Sequence, residues 1–260
     1  MEGALRHLLR PWPLHLRSAL PMLRFWLVLL GVALLPGATL ADSDSGPKSA
    51  EFAEPTTRYD HGILGDAVEW GALILRRGRG DEGPAAITLR LPKSRVFEDT
   101  APRLFKDAAG QTKVMVVETD MARGARLSIY SFDGLVTATP YIGRTHRWLA
   151  PIGARDLDGD GQIEVAYIDR PHLAKTLRIW RLVDGQLAHV TDQSGLTNHR
   201  IGWDYIPGGI RDCGQGPEMI TANADISRVI ASTLRNGRVT MRDIGRYDPA
   251  DRLTSAMACK

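Results

Sequence analysis

The chain has 260 residues, 43% of them hydrophobic and 24% charged, with two cysteines and a formal net charge of +3. The positive balance sits in the first 41 residues, which hold four arginines and one glutamate; without them 29 basic and 29 acidic side chains remain. No basic face is left over for a nucleic-acid partner, and the remaining length suits one β domain with a proper core.

Residues 25–35 are an apolar run of eleven, FWLVLLGVALL, preceded by Arg24 and followed by Pro36 and small residues ending in Ala41. A bilayer span needs roughly 20, so residues 1–41 read as a secretory signal peptide cleaved after Ala41. The stretch before Met22 is long and proline-containing, and Met22 is the alternative start. No cysteine follows the apolar run to carry a lipid, so a periplasmic or secreted protein without a membrane anchor is expected. In an oxidising compartment Cys213 and Cys259 are free to pair. Residues 42–58 are small and polar and read as a flexible linker, leaving 59–260 as the folded domain.

That domain repeats. A divergent unit spans Asp66 to Asp99, and three clearer ones begin at Ala101 (APRLFKDAAGQTKVMVVETD), Pro151 (PIGARDLDGDGQIEVAYID) and Ile206 (IPGGIRDCGQGPEMITANAD). Asp107, Asp156 and Asp212 fall in one register about 50 residues apart, as do Asp120, Asp169 and Asp225, and then Gly134, Gly185 and Gly237. Each unit reads as four short alternating strands with an acidic turn after the first. Four antiparallel strands per 40–55 residues mark a propeller blade. The expected fold is therefore all-β, a β-propeller of four visible four-stranded blades, with a five-bladed or incompletely closed arrangement as the alternative. The tail around Leu253–Met257 is a candidate for the missing strand of the first blade.

The third unit holds the most specific signal, Asp156-Leu157-Asp158-Gly159-Asp160-Gly161-Gln162-Ile163-Glu164. Carboxylates at positions 1, 3 and 5 converge if the backbone coils between them, and Gly159 and Gly161 permit the coil. With the Gln162 carbonyl at position 7 and Glu164 at position 9, the oxygen-only donor set suits one calcium ion. It is not an EF-hand, since position 12 is Tyr167 and a strand follows. A calcium loop opening into V-A-Y-I-D resembles the FG-GAP/VCBS repeat of integrin-α-like propellers. The resemblance implies a calcium-stabilised, secreted propeller that works by binding. The equivalent turns at Asp107 and Asp212 lack the later carboxylates, so a single structural site is expected.

The same alignment gathers a second set of residues at the other end of the strands. Thr145-His146-Arg147-Trp148 and Thr197-Asn198-His199-Arg200 enter successive units. The connections after the second strands carry Asp120, then Asp169, Arg170 and His172, then Asp225. Such a mixed-charge funnel suits a polar or anionic ligand, or a protein or glycan partner. The bland reading is that its histidines and arginines staple neighbouring units. A hydrolase or lyase using the funnel is the alternative function, and zinc on His146, His172 and His199 the weaker metal reading. Arg79-Gly80-Asp81 lies in a glycine-rich turn and reads as coincidence. Trp70, Trp148 and Trp180 read as core.

Overall fold

The computed structural model describes residues 44–260, so the expected signal peptide lies outside the described residues. Among the described residues, seventeen strands make three antiparallel sheets. The first contains β1 (Ser49–Thr56), β2 (Glu69–Arg76), β3 (Ala86–Arg90), β4 (Arg95–Phe97), β5 (Arg103–Lys106), β6 (Thr112–Asp120), β7 (Gly124–Ser131) and β8 (Gly134–Ala138). The second is a meander of β9 (Leu149–Arg155), β10 (Ile163–Asp169), β11 (Thr176–Val183) and β12 (Gln186–Ser194). The third joins β13 (Leu196–Thr197) to the meander β14 (Gly209–Asp212), β15 (Pro217–Asn223), β16 (Arg228–Arg235) and β17 (Arg238–Arg246). A four-residue helix, α1 (Thr254–Met257), follows.

Three of the four expected units are thus four-stranded antiparallel meanders, β5–β8, β9–β12 and β14–β17. Asp107 and Asp156 stand in the turn after the first strand, and Asp212 is that strand's last residue. Gly134, Gly185 and Gly237 each open the last hairpin with positive φ. At Asp184-Gly185 and Asn236-Gly237 both turn residues are left-handed, the backbone that suits a two-residue hairpin. Burial follows position in each meander. The second strands are almost wholly buried, whereas β12 and β17 are mostly exposed or half-buried.

Three expectations are corrected. The unit 66–99 forms no separate fourth blade: β4 pairs with β6, placing Val96 opposite Thr119 and fusing the unit to the next one in a single eight-stranded sheet. The expected linker supplies β1, paired along its length with β2 and tied by Arg76–Glu51 and Arg90–Glu54 ion pairs. The tail supplies α1 rather than a strand. Leu253 and Ala256 bury their side chains on Ile220 and Ala222, and Cys213 is disulfide-bonded to Cys259 beside them.

Packing links the sheets in sequence. One cluster joins Met115, Val117 and Leu127 of the first sheet to Leu149, Val165 and Tyr167 of the second through Trp148. Another joins Ile168, Leu177 and Ile179 to Met219 and Leu234 of the third. Among the described residues no helix is long and apolar enough to cross a membrane.

Candidate functional site

The acidic loop connects β9 to β10. Asp156 accepts from the Gly159 N–H at 2.7 Å and, through its other oxygen, from the Gly161 N–H at 2.9 Å. Both glycines have φ near +85°, the left-handed region where they carry no steric cost. The equivalent turns use the same device. Asp107 accepts from Ala109 and Gln111, and Asp212 from Gly214 and Gly216. The first carboxylate of each repeat is therefore a turn former whether or not others follow it.

What sets the middle turn apart is convergence. One oxygen each from Asp156, Asp158 and Glu164 lie within 4.8 Å of one another. Glu164 is fully buried and accepts from the Leu157 N–H at 2.8 Å. Burial pushes its carboxyl upward against the pull of that N–H and of Arg181. Asp160 stands at the exposed rim, accepting from the Gln162 N–H. Arg181 was invisible in the motif. It faces Glu164 across the β10–β11 ladder and contacts Asp158 at 2.6 Å, Asp160 at 2.7 Å and Glu164 at 2.5 Å. One guanidinium thus meets three of the loop's four carboxylates and leaves a net negative cluster. The Oδ1 of Asp158 is buried with no hydrogen-bond partner. The all-oxygen donor set and this orphaned oxygen fit a hard divalent cation.

At the far end of β10, about 20 Å away at the usual rise per residue, lie the funnel residues. They line three adjoining hollows rather than one mouth. His146, Arg147, Arg170 and His172 border a space of about 30 Å³. His172, His199, Arg200 and Asp225 border a cleft of about 330 Å³. Asp169 and Arg170 border a third of about 220 Å³. Asp120 lines none of these and is engaged by Arg123 at 2.9 Å.

The histidines are bonded to the protein itself. His146 Nε2 lies 2.9 Å from Asp60, the His146 backbone N–H donates to the Tyr59 hydroxyl, and its ring stacks on His61 at 5.2 Å. His61 in turn contacts the buried Glu98. His199 Nε2 donates to the Trp203 carbonyl at 2.9 Å, so its Nδ1 is the acceptor for His172 Nε2 at 3.1 Å. Burial pushes His172 down to about 4 and lowers His199, so both are neutral near pH 7. Among the described residues, no three histidines gather as metal donors. Tyr59, Asp60 and His61 escaped the sequence reading because they lie in the β1–β2 connection, outside every repeat, and Glu98 because it stands at the end of the unit whose repeat pattern is weakest.

Arg79-Gly80-Asp81 sits in the β2–β3 connection, where the Asp81 carboxylate folds back to accept the Gly78 N–H at 2.7 Å. Trp148 is core as expected, its indole N–H donating to the Glu98 carbonyl. Trp70 is half-buried in the first sheet, whereas Trp180 borders the third hollow. No protein-family model and no curated protein matches this chain.

Proposed function

We propose that this chain is an exported binding module: a propeller of FG-GAP/VCBS-type repeats, stabilised by one calcium ion and presenting a polar face to a protein or glycan. The observation that carries the metal reading is the buried, partnerless Oδ1 of Asp158 inside a ring of three converging carboxylates. A cation there would offset the repulsion that Arg181 relieves only in part. The ion would tie the loop's start to the first residues of β10, a structural role rather than a catalytic one. The disulfide fits an oxidising, non-cytoplasmic compartment, which favours the periplasmic or secreted location. Function then falls to the opposite end of the strands, where the three hollows adjoin.

The test is thermal unfolding of the exported protein with millimolar calcium and with EDTA, alongside Asp158→Ala. The expected result is a melting temperature raised several degrees by calcium, with the increment gone in the variant. No calcium increment in the parent protein overturns the metal reading and with it the main support for the family resemblance.

A further inference from the structure

We infer that the third hollow is a saccharide subsite that takes a ring bearing a carboxylate, such as a uronate unit of an acidic glycan; this rests on the proposed binding-module reading and gives its ligand a chemistry. The hollow opens between the β8–β9 connection and the second sheet. Tyr141 and Ile142 line it from the connection, and Tyr167, Asp169, Arg170, Arg178 and Trp180 line it from the second sheet and the turn after β10, with Arg178 opposite Tyr167 in register. At about 220 Å³ it is smaller than a drug-sized pocket and suits a single ring.

Its walls are held from behind by buried groups. Asp169, 2% exposed, accepts from Arg170 Nε and Nη2 at 2.9 Å and from Arg178 Nε at 3.0 Å. That fixes both guanidinium planes yet leaves Arg170 Nη1 and Arg178 Nη2 without a partner among the described residues, while each side chain is about a third exposed. Tyr141 donates its hydroxyl to the fully buried Glu118 at 3.1 Å, and the Trp180 indole N–H donates to Tyr167 at 3.2 Å. Side chains locked by such supports are what a preformed recognition site needs. Arg178 also pairs through Nη1 with Asp192 at 2.9 Å, so two arginines face two aspartates, and what the lining offers an anion is the two spare guanidinium nitrogens. Spare guanidinium donors beside the Trp180 ring match an anionic ring, carboxylate on the arginines and apolar ring face on the indole, while the Tyr141 ring is itself stacked by Arg123 and Arg126. The histidine hollows offer less, since His61, His146 and His172 each already give one ring nitrogen to a protein partner and His199 gives both.

The experiment is calorimetric titration of the exported protein with methyl glucuronoside, its neutral twin methyl glucoside, and benzoate, repeated on Arg170→Gln and Trp180→Phe. Expected are binding of the glucuronoside, at least tenfold weaker binding of the glucoside, and a loss of roughly tenfold or more in Arg170→Gln, the usual effect of removing one charge-assisted hydrogen bond. The variant melts lower, since Asp169 loses its bidentate partner and keeps Arg178, and is titrated well below its melting temperature. Trp180→Phe, which keeps an aromatic wall, should weaken binding less than Arg170→Gln. No binding of the glucuronoside, equal binding of the glucoside, benzoate binding as tight as the glucuronoside, or indifference to Arg170→Gln each overturns the inference. The calcium melt separates the two readings. Calcium stabilisation without glucuronoside binding removes only this subsite, whereas binding without a calcium response removes the metal reading and leaves the subsite standing.

Discussion

At the scale of single residues, the molecule carries ionisable groups in places where burial decides their state. Glu69, 2% exposed at the start of β2, is the clearest. Burial and then the neighbouring charges of Glu98, Asp66 and Asp99 push its carboxyl up from 4.5 to about 9. A carboxyl raised on folding binds its proton more tightly in the native state. Its contribution is complete below the unfolded value and is lost as pH rises through the folded one. Between pH 4.5 and about 9 each step of alkalinisation should therefore cost stability. Glu69→Gln keeps the shape and removes the titration. We expect it to melt with the parent at pH 4 and above it at pH 8, by on the order of 1–3 kcal/mol. Melts across that range check this, and a variant less stable at pH 8 would show that the ionised carboxylate is needed there. His172 works in the opposite direction, its depressed value letting stability fall as pH drops from 6.5 towards 4.

At the scale of elements, the repeat was legible where turn chemistry is local. The aspartate of each acidic turn and the glycine of each hairpin act within a few residues, so their spacing survives in the sequence even where the strands between them diverge. Other features depend on distant partners. β1 is made mostly of small and polar residues with two glutamates and one proline and reads as a linker, because what orders it is the register with β2 and the arginines of β2 and β3. Arg181 became part of the acidic site only through its place opposite Glu164, a pairing set by the register of β10 with β11 from the turn between Asp169 and Thr176. The tail is too short for helical period to show, and its docking is tertiary. The disulfide is its tether, closing a 46-residue separation between the β14–β15 turn and the residue after α1's last turn. Loop closure of that length is worth about 4 kcal/mol in the chain-entropy model. Cys213→Ser paired with Cys259→Ser should lower the melting temperature under non-reducing conditions and erase any difference once reductant is added. Equal melting without reductant would mean that Leu253 and Ala256 hold the tail alone.

At the scale of the whole molecule, stability is arranged as sheets that share cores with their neighbours. Trp148 is the join between the first two. It is 2% exposed, packs with side chains of both sheets, donates to the Glu98 carbonyl at 2.8 Å and lies edge-on to His199 at 4.9 Å. Trp148→Ala removes that volume and leaves a buried carbonyl without its donor, so a loss of about 3–5 kcal/mol is expected. The distribution of the loss is the more telling quantity. Where units contact only their neighbours, stability is close to a sum of unit and interface terms. The cluster between the second and third sheets, with Ile179 and Met219, contains no atom of Trp148. Hydrogen exchange on Trp148→Ala should therefore show β6, β7, β9 and β10 losing protection first, while β15 and β16 keep most of theirs. An equal fall in every strand would mean that the three sheets unfold as one unit. The hydrogen bond from the Gly202 N–H to the Ile63 carbonyl, which joins the β1–β2 connection to the third sheet's entry, would then be one of the contacts that carry the coupling.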